Sequence, residues 1–153
     1  MTRSRLPSRL TCATVVIALA MLTACRAETV VHTMDVIGTD YALLAPDTVP
    51  AGATVLSFEN RGRVPHEMVF ARIRDDVPNA AFADSLVKGI RMVGLRATGS
   101  GVLFAAPGTR NDVVRVRAVF KRGERYALWC QFRDSSSAPK HTSLGMFKLL
   151  TVR

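Results

Sequence analysis

Between Tyr126 and Val152 the chain reads Tyr126-Ala127-Leu128-Trp129-Cys130, a polar run, His141-Thr142-Ser143-Leu144-Gly145-Met146-Phe147, and an apolar strand-like tail. A thiol, an imidazole and a thioether thus follow one another on the two arms of a single loop. Soft and borderline donors of this kind suit copper. A fourth donor must come from elsewhere, and His66, just after Pro65, is the candidate at the head of another apolar stretch. Two His, one Cys and a weak axial Met make an electron-transfer copper site.

The elements that must position these four side chains read mostly as strands. Thr29 to Ile37 precedes the turn Gly38-Thr39-Asp40, and Tyr41 to Leu44 ends at Ala45-Pro46-Asp47. Thr54 to Glu59 alternates and stops at Asn60-Arg61-Gly62-Arg63, after which His66 to Ile73 resumes. Val114 to Phe120 alternates with Arg115 and Arg117, and Arg125 to Phe132 is expected as its antiparallel partner across Lys121-Arg122-Gly123-Glu124. On that strand Tyr126, Leu128 and Cys130 share a face. Short strands with turn residues between them predict an antiparallel sandwich or barrel. One helix is expected within about 78–93, where Phe82, Leu86, Val87 and Ile90 recur at helical spacing between Pro78 and Gly94. Leu95 to Asn111 reads as a long loop with a short extended piece at Val102 to Phe104.

The chain of 153 residues has the length of one domain. Its first 24 residues resemble a secretory signal: Arg3, Arg5 and Arg9 lead into the apolar run Leu10 to Met21. Leu22-Thr23-Ala24-Cys25 resembles a bacterial lipobox, which implies a lipid on Cys25. An uncleaved span is the other reading, but the run is short for it. The expected organisation is a signal peptide at 1–24, a tether at 25–29 and a domain at 30–153, held on a membrane at the periplasmic or cell-surface face. Cys12 then leaves with the signal and Cys25 carries lipid. Cys130 remains as the single free thiol: a buried inert group, an intermolecular bridge or a metal thiolate. The formal charge of +9 is spread rather than clustered, and an exported protein makes nucleic acid an unexpected partner.

These residues resemble the cupredoxins, plastocyanin-like and azurin-like members among them. The first ligand His of that family follows an Asn-x-Gly stretch and a Pro, as Asn60, Gly62, Pro65 and His66 do. Its Cys follows a Tyr by four residues, as Cys130 follows Tyr126. Its last ligands are often separated by four residues with Gly before Met, as His141, Gly145 and Met146 are. The resemblance covers roughly Val30 to Val152. It implies an all-β cupredoxin-like Greek-key β-sandwich with one helical insertion, binding one type 1 copper through His66, Cys130, His141 and axial Met146. Glu67 and Gln131 are expected just outside the ligands, where the family commonly has Asn after its first His. The ten residues from Gln131 to Lys140 make a longer loop than the family's small electron carriers usually have.

The implied function is single-electron transfer to exported redox proteins, by a monomer that is not an enzyme. The family's copper oxidases and reductases need a second copper centre and further domains. Two alternatives stand beside it. His32-Thr33-Met34 and His66-Glu67-Met68 form His-x-Met pairs that point one way on a strand, so His32, Met34 and Met68 are candidate Cu(I) ligands of a carrier or storage protein. A metal-free sandwich would be an interaction module, with Cys130 a small hydrophobe and Met34, Met68 and Met146 ordinary core.

Overall fold

The computed structural model describes residues 30–153; the leader, Cys12 and Cys25 lie outside the described residues. Nine strands run β1 Val31–Thr39, β2 Ala42–Leu44, β3 Thr48–Val49, β4 Gly52–Asn60, β5 His66–Ile73, β6 Arg96–Ala105, β7 Arg110–Phe120, β8 Arg125–Trp129 and β9 Phe147–Val152, with helix α1 at Asn79–Val87. They form two sheets, β2-β1-β4-β7 and β3-β9-β8-β5-β6. Both contribute to one apolar layer. Met34, Val36, Leu56, Phe58 and Phe120 of the first sheet meet Met68, Phe70, Leu128 and Leu150 of the second. The result is the expected β-sandwich with one helical insertion.

Parity explains the burial along β8. Tyr126 and Leu128 face the interior with Cys130, while Ala127 and Trp129 face the other way into a second cluster. That second cluster is where the helix docks. Phe82 and Leu86 are buried against Val69, Ala71 and Ile73 of β5 and against Trp129, whose ring centroid lies 6.1 Å from that of Phe82 in an edge-to-face pair. Both faces of β5 and β8 are therefore covered, which is why these strands read as near-continuous apolar runs.

Four expectations are corrected. The sandwich is not wholly antiparallel: β1 runs parallel to β4 and β3 parallel to β9. The chain from β1 to β4 passes through β2 and β3, a connection long enough to return it in the same direction. Strands β7 and β8 are not partners; β7 pairs with β4, and β8 with β5 and β9. Phe120 and Tyr126 both point into the core, so the turn between them carries the chain from one sheet to the other. Their rings meet edge to face at 4.7 Å.

The third correction concerns Leu95 to Asn111, most of which is strand. β6 pairs with β5 from His66 opposite Ala105 to Ile73 opposite Arg96. Its glycines read as loop residues, but Gly101 marks a close approach: a Cβ there would stand 2.8 Å from a methyl of Val116 on β7. Finally, the helix ends at Val87, three residues before Ile90, the last position of its apolar spacing. Ile90 N–H bonds Ser85 O at 2.9 Å and Gly89 N–H bonds Leu86 O at 3.0 Å, the two bonds of a Schellman stop. Val87 and Ile90 are left exposed.

Because Phe82 is fully buried and anchors the helix on Trp129, Phe82→Ala should lower stability by about 3–5 kcal/mol. Urea denaturation measures this.

Candidate metal centre

Four segments converge at one end of the sandwich. His66 opens β5, Cys130 follows the last residue of β8, His141 begins the short 3-10 turn His141–Leu144, and Met146 immediately precedes β9. The loop from Cys130 to Met146 is laced by its own backbone. His141 N–H bonds Phe132 O at 2.8 Å, Thr142 N–H bonds Cys130 O at 3.1 Å, Cys130 N–H bonds Met146 O at 3.2 Å and Met146 N–H bonds His141 O at 3.0 Å. The ten residues from Gln131 to Lys140 therefore leave the core and return to it at a fixed point, and Cys130 and His141 do meet.

The donor atoms form a small triangle. Nδ1 of His66 lies 3.1 Å from Nδ1 of His141; Sγ of Cys130 lies 3.4 Å from Nδ1 of His141 and 3.9 Å from Nδ1 of His66. An ion bonded trigonally to nitrogen and thiolate at about 2.0–2.3 Å separates its donors by about 3.5–3.7 Å. The sides of this triangle, 3.1 to 3.9 Å, bracket that range. Among the described residues, these three make the one group of His, Cys, Asp or Glu side chains close enough to share an ion. All three are buried. Met146 is fully buried, bonded to His141 and Cys130 through its backbone, with its Cε 3.4 Å from where a Cβ on Gly38 would stand.

The surroundings favour a cation. Sγ accepts the Glu67 amide N–H at 3.4 Å, and the Phe132 amide is a second donor to it. Burial nevertheless pushes the thiol up to about 11, so a thiolate here needs a positive partner. His66 is held below its usual value first by burial and then by His141. Two imidazoles whose Nδ1 atoms face one another, next to a sulfur that collects N–H donors, are a donor set arranged for a soft or borderline metal.

The shell behind the donors is built from both sheets. Glu67 Oε1 accepts the Gln131 N–H at 3.1 Å, which ties the start of β5 to the exit of β8; burial raises the Glu67 carboxyl. Asn60, fully buried, donates to Val64 O at 2.8 Å and Ala105 O at 3.0 Å and accepts the Gly62 N–H at 2.8 Å. It thereby shapes the loop that delivers His66. A side chain at Gly62 would collide there, with a Cβ 2.8 Å from His66 Nε2 and 2.7 Å from Asp40 Oδ1.

The sequence reading missed two residues at this site. Asp134 places Oδ1 3.0 Å from His141 Nε2, and Tyr41 donates its hydroxyl to Asp134 Oδ2 at 2.5 Å. The Tyr41 and then the His141 hydrogen bonds hold the Asp134 carboxyl below its usual range. A carboxylate within a Cys-to-His loop is the signal that could have found Asp134; nothing in the sequence pairs it with Tyr41. Of the alternative Cu(I) ligands, Met34 and Met68 lie in the same apolar core as Cys130 and Met146, and His32 lines the surface near Pro46 and Pro50, on the first sheet.

Asn60→Ala would leave two buried carbonyls and the Gly62 N–H without their partner. It should cost about 2 kcal/mol or more of stability in the metal-free protein, read by urea denaturation, with weaker metal uptake in the same variant.

No model of a protein family matches the chain, and no curated protein matches it by sequence. Solved structures do. Reduced auracyanin from Roseiflexus castenholzii is 17% identical, with a TM-score of 0.50, over 79% of this chain and 96% of that one. Auracyanin A, a "blue" copper protein from Chloroflexus aurantiacus, is 12% identical, with a TM-score of 0.49, over 81% and 100%. An azurin from Methylomonas sp. strain J is 15% identical, with a TM-score of 0.45, over 80% and 98%. At this level the likeness speaks for architecture, and it rests on the first of these: the described residues form a cupredoxin-fold domain.

Proposed function

We propose that the protein binds one type 1 copper ion and passes single electrons to exported redox partners. One observation carries the reading: two imidazole Nδ1 atoms and one cysteine sulfur stand 3.1–3.9 Å apart, buried, at one end of a cupredoxin-fold sandwich. His66 and His141 would bind through nitrogen, Cys130 as thiolate and Met146 as the long axial contact. Bound copper would supply a one-electron couple. Cu(I) prefers sulfur and Cu(II) accepts nitrogen, so a mixed set held by a rigid shell changes little between the two states. The chain's own part is to fix the donors and to exclude water from them. On this reading the protein is an electron carrier rather than an enzyme.

Copper delivery is the second reading, because the auxiliary residues His32, Met34 and Met68 remain chemically able to take Cu(I). We further propose that Cys25 carries lipid and holds a monomeric domain on the outer face of a membrane, in keeping with the leader sequence.

With residues 26–153 and added Cu(II), an intense thiolate-to-copper band in the visible is expected, at one copper per chain. Cys130→Ala should abolish it. Tight Cu(I) binding without the band, lost in Met34→Ala or Met68→Ala, would support delivery; no stoichiometric copper in either state would defeat both. For the anchor, Cys25→Ser in the full chain should move the protein from the membrane to the soluble fraction and remove the lipid mass from its N-terminus.

A further inference from the structure

Of the two imidazoles, His141 is the one whose second nitrogen is engaged. Asp134 Oδ1 stands 3.0 Å from Nε2, while His66 Nε2 is buried without a hydrogen-bond partner. Both oxygens of Asp134 are committed, since Oδ2 takes the Tyr41 hydroxyl at 2.5 Å. Tyr41 also sets its ring edge to face on His141, with centroids 5.1 Å apart at 71°. It does so from the β1–β2 turn with a φ of 66°, which a non-glycine residue rarely adopts and which persists where the surroundings over-determine it. Asp134 itself is carried by the long loop between Cys130 and His141, whose end is fixed by the His141 N–H to Phe132 O bond. The extra length of that loop is what lets a carboxylate fold back over its own histidine, leaving the imidazole 1% exposed.

We propose that Asp134, held in place by Tyr41, is a positioning residue of the metal centre. It keeps the His141 proton on Nε2, so that Nδ1 presents its lone pair to the ion, and it places a negative charge one imidazole away from the metal. A carboxylate on the far nitrogen makes an imidazole the more basic ligand. That favours Cu(II) over Cu(I), because the extra positive charge gains more from a nearby anion. The pair thus sets the potential of the centre downward. The metal half of this inference rests on the copper reading above; the proton half does not.

The experiment compares wild type with Asp134→Asn, Asp134→Ala, Tyr41→Phe and the loop control Arg133→Ala. Arg133 bonds Ala138 O within the same loop and does not touch His141. In metal-free protein, nitrogen NMR should show His141 as the Nε2–H tautomer in wild type and as a mixture in Asp134→Ala. In copper-loaded protein, Asp134→Asn should weaken Cu(II) about tenfold relative to Cu(I). That ratio is a rise in reduction potential of about 59 mV. Tyr41→Phe should move it the same way by less, and Arg133→Ala should leave it unchanged. An unchanged tautomer and potential in the Asp134 variants, or an equal shift in Arg133→Ala, would overturn the proposal. If wild type takes up no copper, the copper reading falls, and the metal-free tautomer decides the role of Asp134.

Discussion

The fold is organised around a costly placement: two imidazoles and a thiol, all buried, with their donor atoms 3.1–3.9 Å apart. Three polar groups taken from water and aimed at one point gain little from one another. Apolar burial alone disfavours the thiolate and the charged imidazole. Such a cluster makes physical sense around a cation, and the surrounding chain is spent on keeping it open and dry. The Cys130–Met146 loop closes on itself through backbone bonds, Asn60 fixes the approach to His66, and Glu67 ties the ends of β5 and β8.

The β1–β2 turn has an unexpected share in this. Asp40 accepts the backbone N–H and the Nε of Arg63 at 2.7 Å each, and its neighbour Tyr41 holds Asp134. One two-residue turn of the first sheet thus braces both loops that bring histidines to the centre. The Asp40–Arg63 pair lies at the surface, with the arginine 90% exposed, so its ionic contribution is small. Its value lies in geometry, through the backbone donor. The opposite face of the second sheet carries the helix, which packs on Trp129 and whose end also accepts the Ser143 hydroxyl at Val87 O, 2.8 Å away, from the turn that begins with His141.

Much of this was legible in the residues. Period-two alternation around Tyr126, Leu128 and Cys130 put the sulfur on the interior face, and the order His, Cys, His, Met with its Gly and Pro spacings pointed to one centre. Glu67 and Gln131 could be named because they adjoin ligands in sequence. What escaped was of another kind. β6 was hidden by Gly99 and Gly101, since glycine signals a turn and a close strand crossing alike. The β7–β8 connection looked like a hairpin because a tight turn between alternating strands carries no mark of a change of sheet.

The sequence by itself determined the candidate donors, most of the strands, the buried face of β8 and the helix near Phe82 and Leu86, because these follow from side-chain chemistry and local periodicity. Tertiary structure alone decided which strands pair, that the ten residues between Cys130 and His141 return to within 3.4 Å, and that Tyr41 reaches Asp134 across 93 residues. Such contacts depend on how two sheets stack and on where loops close. Those are properties of the assembled core, and no local window of residues contains them.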